Sequence, residues 1–213
     1  MGLKINEGDL VLPKTSGVGM KVDVTSPTFG WRDLKGLQII DTAGASRPTL
    51  TVFQSGGAVK MLAFGVNDEQ NYAFHIPHDW LPGSDCFLHV HWGHNGTAIS
   101  GNVVFTMTYS YADRDDVFNA EQAETITFNT VDIATTPQHN QFVTEIQLSD
   151  TGGTGNFIDS DDITVDGEII ANLELTTLPT ITGGDSVIFI SYVDIHYQST
   201  NVGTKNKSAD FYA

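Results

Sequence analysis

From residue 38 to about residue 200, apolar and polar positions alternate in one short segment after another. The stretch NVVFTMTYSY (102–111) is the cleanest case. Val103, Phe105, Met107, Tyr109 and Tyr111 fall on one face, and Val104, Thr106, Thr108 and Ser110 on the other. A period of two predicts a β-strand with one side on a core. LQIID, TLTVFQ (49–54), VKMLAFGV (59–66), NYAFHI (71–76) and CFLHVHW (86–92) precede it. AETITFN (123–129), QFVTEIQL (141–148), IIANLELT (169–176) and SVIFISYVDIHYQ (186–198) follow. Between them lie turn-forming clusters such as NDEQN, DTGGTGN, DSDD and TGGDS. No helical period of useful length occurs; the one helical turn expected is at HDWL, with Asp79 as its cap beside Pro77. About ten strands with no intervening helices predict an all-β, two-sheet antiparallel sandwich, jelly-roll-like first and immunoglobulin-like second.

Residues 1–37 read differently. Gly, Lys and Pro mix with isolated apolar residues, and five of the ten basic residues lie here: Lys4, Lys14, Lys21, Arg32 and Lys35. The expectation is an extended N-terminal arm over 1–37, the sandwich over 38–200 and a C-terminal tail over 201–213. Phe29 and Trp31 on the arm, and Phe211 and Tyr212 on the tail, are the expected interface residues, because large apolar side chains on such segments suit a partner surface.

Composition narrows the function. There are 26 acidic against 10 basic residues, a formal net charge of -16. Such a surface repels phosphate backbones and anionic membranes, so neither nucleic acid nor membrane is an expected partner. Charged residues make up only 17%, against about a quarter in an average chain. The start of the chain has no apolar stretch of signal-peptide kind, and no run is long enough to span a bilayer. The single cysteine, Cys86, excludes an intrachain disulfide, and its neighbours place it in a buried strand.

Five of seven histidines fall between residues 75 and 94: His75, His78, His89, His91 and His94. His89 and His91 are two apart on a strand and so point to the same face, a frequent start for a metal site. His196 in VDIHYQ is the third candidate ligand. A complete site also needs a carboxylate or a further imidazole. WGHNGTAISG, which follows His91, has no acid, against a cupin-type metal motif. The expectation is therefore no cofactor, no catalytic residues and a structural or pH-responsive role for the histidines; His89, His91 and His196 remain the metal-ligating alternative. No P-loop, G-x-G-x-x-G or G-x-S-x-G motif occurs, and DSDD with DITVD lacks the spacing of an EF-hand loop.

Two blocks carry a resemblance. Pro77, His78, Trp80, Gly83, Ser84, Asp85, His89, His91 and Trp92 form the first. Asp194, Ile195, His196, Tyr197 and Gln198, with Gly203, Lys207 and Phe211 behind them, form the second. Over roughly residues 70–213 this resembles a family of tailed-bacteriophage virion proteins. Cys86 and Phe87, after Asp85, depart from its more polar or proline-containing stretch. The resemblance implies a non-enzymatic, jelly-roll-like capsid decoration (cement) protein. It would be made in the host cytoplasm, carried on the capsid surface as a homotrimer, and bound to the major capsid protein. The alternatives are a head-fibre or tail module that binds a receptor or glycan, and a cupin-like metal-dependent enzyme.

Overall fold

In the computed structural model, residues 29–39, 46–130 and 137–200 are described, together with the backbone of three short strands before them. Those three, β1 (Lys4–Asn6), β2 (Asp9–Leu12) and β3 (Met20–Val22), pair antiparallel in a small sheet. The rest is an all-β, two-sheet, jelly-roll-like sandwich, as the alternation predicts. No described helix is long and apolar enough to cross a membrane.

One sheet contains β11 (Gln122–Thr130), β10 (Ala98–Ala112), β15 (Glu168–Thr177), β8 (Glu69–His75) and β5 (Leu37–Ile39) in that order, with β16 (Thr180–Thr182) also on β10. The other contains β12 (Phe142–Gln147), β9 (Phe87–Gly93), β17 (Ile188–Ser199), β7 (Lys60–Phe64) and β6 (Thr49–Val52), with β4 (Gly30–Lys35) also on β17. Strands β7 to β10 alternate between the sheets, and so do β11 and β12. Two short strands, β13 (Ser149–Asp150) and β14 (Ile158–Asp159), pair parallel outside both.

The core forms between the sheets because each strand gives one face to it. Val103, Phe105, Met107, Tyr109 and Tyr111 are all buried, as their period requires. From β9 come Leu88, Val90 and Trp92, and from β15 Ile169, Ala171, Leu173 and Leu175. Trp92 buries its indole and still donates Nε1–H to Thr144 Oγ1 at 2.9 Å, which satisfies its one donor. Cys86 is fully buried, and burial pushes its thiol up to about 12. It lies just before β9 rather than within it.

Strand β17 changes phase partway along. Its register with β9 shifts between Ile190 and Tyr192. Before the shift Ile188 and Ile190 belong to the core; after it Val193, Ile195 and Tyr197 do. A one-residue bulge moves every later side chain to the opposite face. Here it turns Tyr192, Asp194 and His196 away from the core and onto the face that carries His89 and His91.

Two expectations are corrected. Residues 30–35, read as the end of an arm, are strand: β4 pairs with β17 from Lys35↔Asp194 to Gly30↔Ser199, and Leu37 already begins β5. HDWL is a turn, closed by the Trp80 N–H to the Pro77 carbonyl at 3.0 Å, and Asp79 caps no helix. Phe211 and Tyr212 lie outside the described residues.

Gly36 lets the chain step from one sheet to the other in a single residue between β4 and β5. Its N–H donates to the Val193 carbonyl at 2.9 Å. A Cβ added there would stand 2.7 Å from Phe74 Cε1, and Phe74 is fully buried. Gly36→Ala is therefore expected to destabilise the chain by about 1–3 kcal/mol through overpacking, read as a lower urea midpoint with an unchanged slope.

A histidine and carboxylate face as the candidate functional site

The two blocks noted in the sequence meet in space. Trp80, fully buried, stacks on Tyr197 with ring centroids 5.3 Å apart and planes 8° from parallel. Asp79 accepts from the Tyr197 hydroxyl at 3.0 Å and the Ser199 hydroxyl at 2.6 Å, and pairs with Arg32 at 2.8 Å. The Leu81 N–H donates to the Gln198 carbonyl at 2.9 Å, and the Thr200 N–H to the Asp79 carbonyl at 2.7 Å. Burial, then the Asp79 hydrogen bond, pushes the Tyr197 phenol up to about 12. Segments some 118 residues apart are thus tied into one knot. Its chemistry is that of a satisfied structural network.

The outward face of the β12–β9–β17–β4 strands is different in kind. His89 stands opposite Asp194 on β17 and Glu145 on β12. His196 stands opposite Asp33 on β4. His91 Nε2 lies 2.7 Å from Asp194 Oδ1, and His89 Nδ1 lies 3.6 Å from Asp194 Oδ2. The other ring nitrogens are also held. His89 Nε2 is 2.7 Å from Glu145 Oε2, and His91 Nδ1 is 2.6 Å from the Gln141 side-chain amide. His196 Nδ1 is 2.9 Å from Asp33 Oδ1.

Aromatic rings wall this face. Trp31 stacks on His196 at 4.9 Å and meets Phe87 edge-on at 5.7 Å. Tyr192 stacks on His91 at 4.0 Å, and Lys35 Nζ sits 4.7 Å over the Tyr192 ring. Under that cover Asp194 is fully buried although it points away from the core. Burial raises the pKa of Asp194, partly opposed by His91, and burial lowers that of His91, partly opposed by Asp194. Each group disfavours its charged form through loss of water.

The three histidines named as the metal alternative are therefore neighbours. The His89 ring centroid is 4.8 Å from that of His196 and 6.1 Å from that of His91. His89, His91 and Asp194 can each bring one ligand atom within 4.8 Å of the others, and so can Asp33, His89 and His196. The carboxylates that the sequence reading sought after His91 come from the strands on either side. Asp194 and His196 are two apart on one strand, the same sharing of a face that singles out His89 and His91, and that signal is visible in YVDIHYQ. Strand adjacency is not.

The remaining histidines go elsewhere. His75 and His78 approach Asp166 at 3.4 and 3.1 Å, beside Arg114. His94 is buried against Phe142, past the end of β9. In the acidic stretch, Asp159 accepts from the Gly152 and Asp161 N–H groups, and Asp150 from the Thr154 N–H. Of the interface residues, Phe29 is half-buried and Trp31 is 47% exposed.

No family model and no curated protein matches the chain. Among solved structures it is similar to a CBM35 from Cellvibrio japonicus Abf62, at 15% identity and a TM-score of 0.39, over 78% of this chain and 92% of that one. It is also similar to dimeric latent PorU from Porphyromonas gingivalis, at 7% identity and a TM-score of 0.33, over 80% of this chain and 13% of that one. A third likeness is to a carbohydrate-binding module of the β-sandwich superfamily, at 11% identity and a TM-score of 0.29, over 90% of this chain and 71% of that one. At these identities and TM-scores the likenesses carry nothing over to this chain.

Replacing Asp79 with Ala removes the acceptor for two buried hydroxyls and the partner of Arg32. The expected loss is about 2 kcal/mol, measured by urea unfolding, with the outward histidine face unchanged in the histidine ring NMR signals.

Proposed function

We propose that this chain is a non-enzymatic structural protein of a tailed-phage virion, a capsid decoration protein that stabilises the head by binding the major capsid protein as a homotrimer. The observation that carries the reading is the knot of Trp80 and Asp79 with Tyr197 and Ser199. It brings the two sequence blocks on which the virion resemblance rests into one structural unit, and this supports the reading. Exposed apolar residues on or beside edge strands add support: Leu37 on β5, Leu50 on β6 and Val59 before β7. Burying such side chains against a capsid subunit is the favourable term in assembly.

Binding to heads assembled from the major capsid protein encoded with this chain tests the reading. Because β4 belongs to the sandwich, the truncation must stop before it, removing residues 1–28. The full chain is expected to co-sediment with heads, and the truncated chain to stay folded but lose most of its binding. Native mass spectrometry is expected to show a species at three times 23.1 kDa, about 69 kDa. Failure of the full chain to co-sediment would sink the decoration role.

A second reading has an observation of its own. Trp31 presents an indole, 47% exposed, beside Asp33, His196 and Phe87 on an open sheet face. An aromatic ring with polar neighbours is a stacking surface for sugars. That arrangement suits a glycan-binding head-fibre or tail module. On a glycan array, such a module would give a specific signal that Trp31→Ala abolishes; a blank array for the folded chain would remove this reading.

A further inference from the structure

We infer that the outward face of β9 and β17 is a binding site for a divalent first-row transition-metal ion of the zinc class, with His89 Nδ1, His91 Nε2 and the Asp194 carboxylate as its ligands. This stands apart from the virion reading and holds whether or not that reading does.

The first ground is geometry. Two imidazoles and one carboxylate converge from adjacent strands, with His91 Nε2 at 2.7 Å and His89 Nδ1 at 3.6 Å from the Asp194 oxygens. In a tetrahedral zinc site with bonds of 2.0–2.2 Å, ligand atoms stand about 3.4 Å apart. The His89 contact already has that spacing, and the His91 contact needs to open by well under 1 Å.

The second ground is independent of spacing. Asp194 is fully buried, and neither carboxylate oxygen receives a hydrogen bond from a hydroxyl, amide or backbone N–H among the described residues. What it faces is the two imidazoles. A buried carboxylate whose only close partners are two imidazoles is costly, and its usual remedies are a paired cation or a metal. Lys35, opposite Asp194 on β4, holds its ammonium over Tyr192. A divalent ion between Asp194 and the two neutral rings would supply the missing charge.

The third ground is the outer layer of partners. Metal-bound histidines are commonly held at the far ring nitrogen by a carboxylate or carbonyl. Glu145 holds His89 in this way at Nε2, which leaves Nδ1 toward Asp194. Gln141 holds His91 at Nδ1, which leaves Nε2 toward Asp194. With its amide turned so that the oxygen accepts from Nδ1–H, Gln141 leaves the Nε2 lone pair free for a metal. Of the remaining charged groups on this face, Asp33 and His196 are paired with one another. Nitrogen with one carboxylate favours zinc, iron or cobalt over calcium or magnesium. The three ligands span two strands whose pairing also seats β4, so the ion would act as a cross-strand staple.

The test uses the full chain without a histidine tag, stripped with chelator and titrated with zinc by calorimetry, with stoichiometry read by native mass spectrometry. One zinc per chain is expected. Cobalt at the same site should give the visible bands of a four-coordinate ion. His91→Ala and Asp194→Asn should remove binding, whereas His75→Ala, on another face, should leave it intact. Glu145→Gln alters an exposed partner rather than a ligand and should weaken zinc about 10- to 100-fold. If Asp194→Asn does not fold, the Glu145 and His91 variants decide. Absence of stoichiometric zinc in the wild-type chain, or binding unchanged in both of those variants, would overturn the site.

Discussion

The pairing of β17 with β9 organises everything else in this protein. It joins residues about a hundred positions apart, so it closes a long loop and must be repaid by what it buries. On the inner side it places Val193, Ile195 and Tyr197 beside Leu88, Val90 and Trp92 in the core. On the outer side the same ladder sets Asp194 opposite His89. One set of backbone hydrogen bonds thus serves both stability and the candidate site, and β4 and β12 extend the sheet from its two strands.

The bulge near Ser191 is the point on which the outer face turns. Without the extra residue, the alternation that buries Ile188 and Ile190 would continue and carry Asp194 and His196 into the apolar interior. Two ionisable groups there would cost far more than the bulge does. The Ser191 hydroxyl donates to the His91 carbonyl at 3.1 Å, which anchors the irregular turn of the strand beside the histidine it serves. Sheets often carry bulges where a side chain has to be re-aimed, and this one re-aims three.

The two blocks of familiar residues divide their labour. Trp80 with Tyr197, and Asp79 with Ser199, secure the end of β17 from the core side and the loop that precedes β9. His89, His91, Asp194 and His196, from the same blocks, occupy the opposite face. A resemblance carried by such residues therefore mixes packing demands with a surface whose chemistry is unexplained by packing. Asp194 is the clearest member of the second group, since a buried acid whose only close partners are imidazoles contributes nothing favourable to the apolar core.

Much of this was legible along the chain. Period-two alternation in residues 102–111 and 86–92 determined which side chains enter the core, because a pleated strand has only two faces. Turn chemistry separated the strands, and the lack of helical periodicity excluded layered α/β architecture. HVH and DIH each announced a shared face. The tertiary structure alone decided that those two faces are one. Strand adjacency depends on long-range burial and register, which leave no local mark in the sequence. For the same reason the strand character of residues 30–35 escaped notice: β4 is short, with little apolar patterning of its own, and forms because β17 offers it unpaired backbone groups. The phase change in β17 was hidden as well, since IFISYVDIHY is apolar on both sides of the bulge. Composition and spacing determined the kind of fold and the residues worth watching; the register of β9 against β17 decided what those residues can do together.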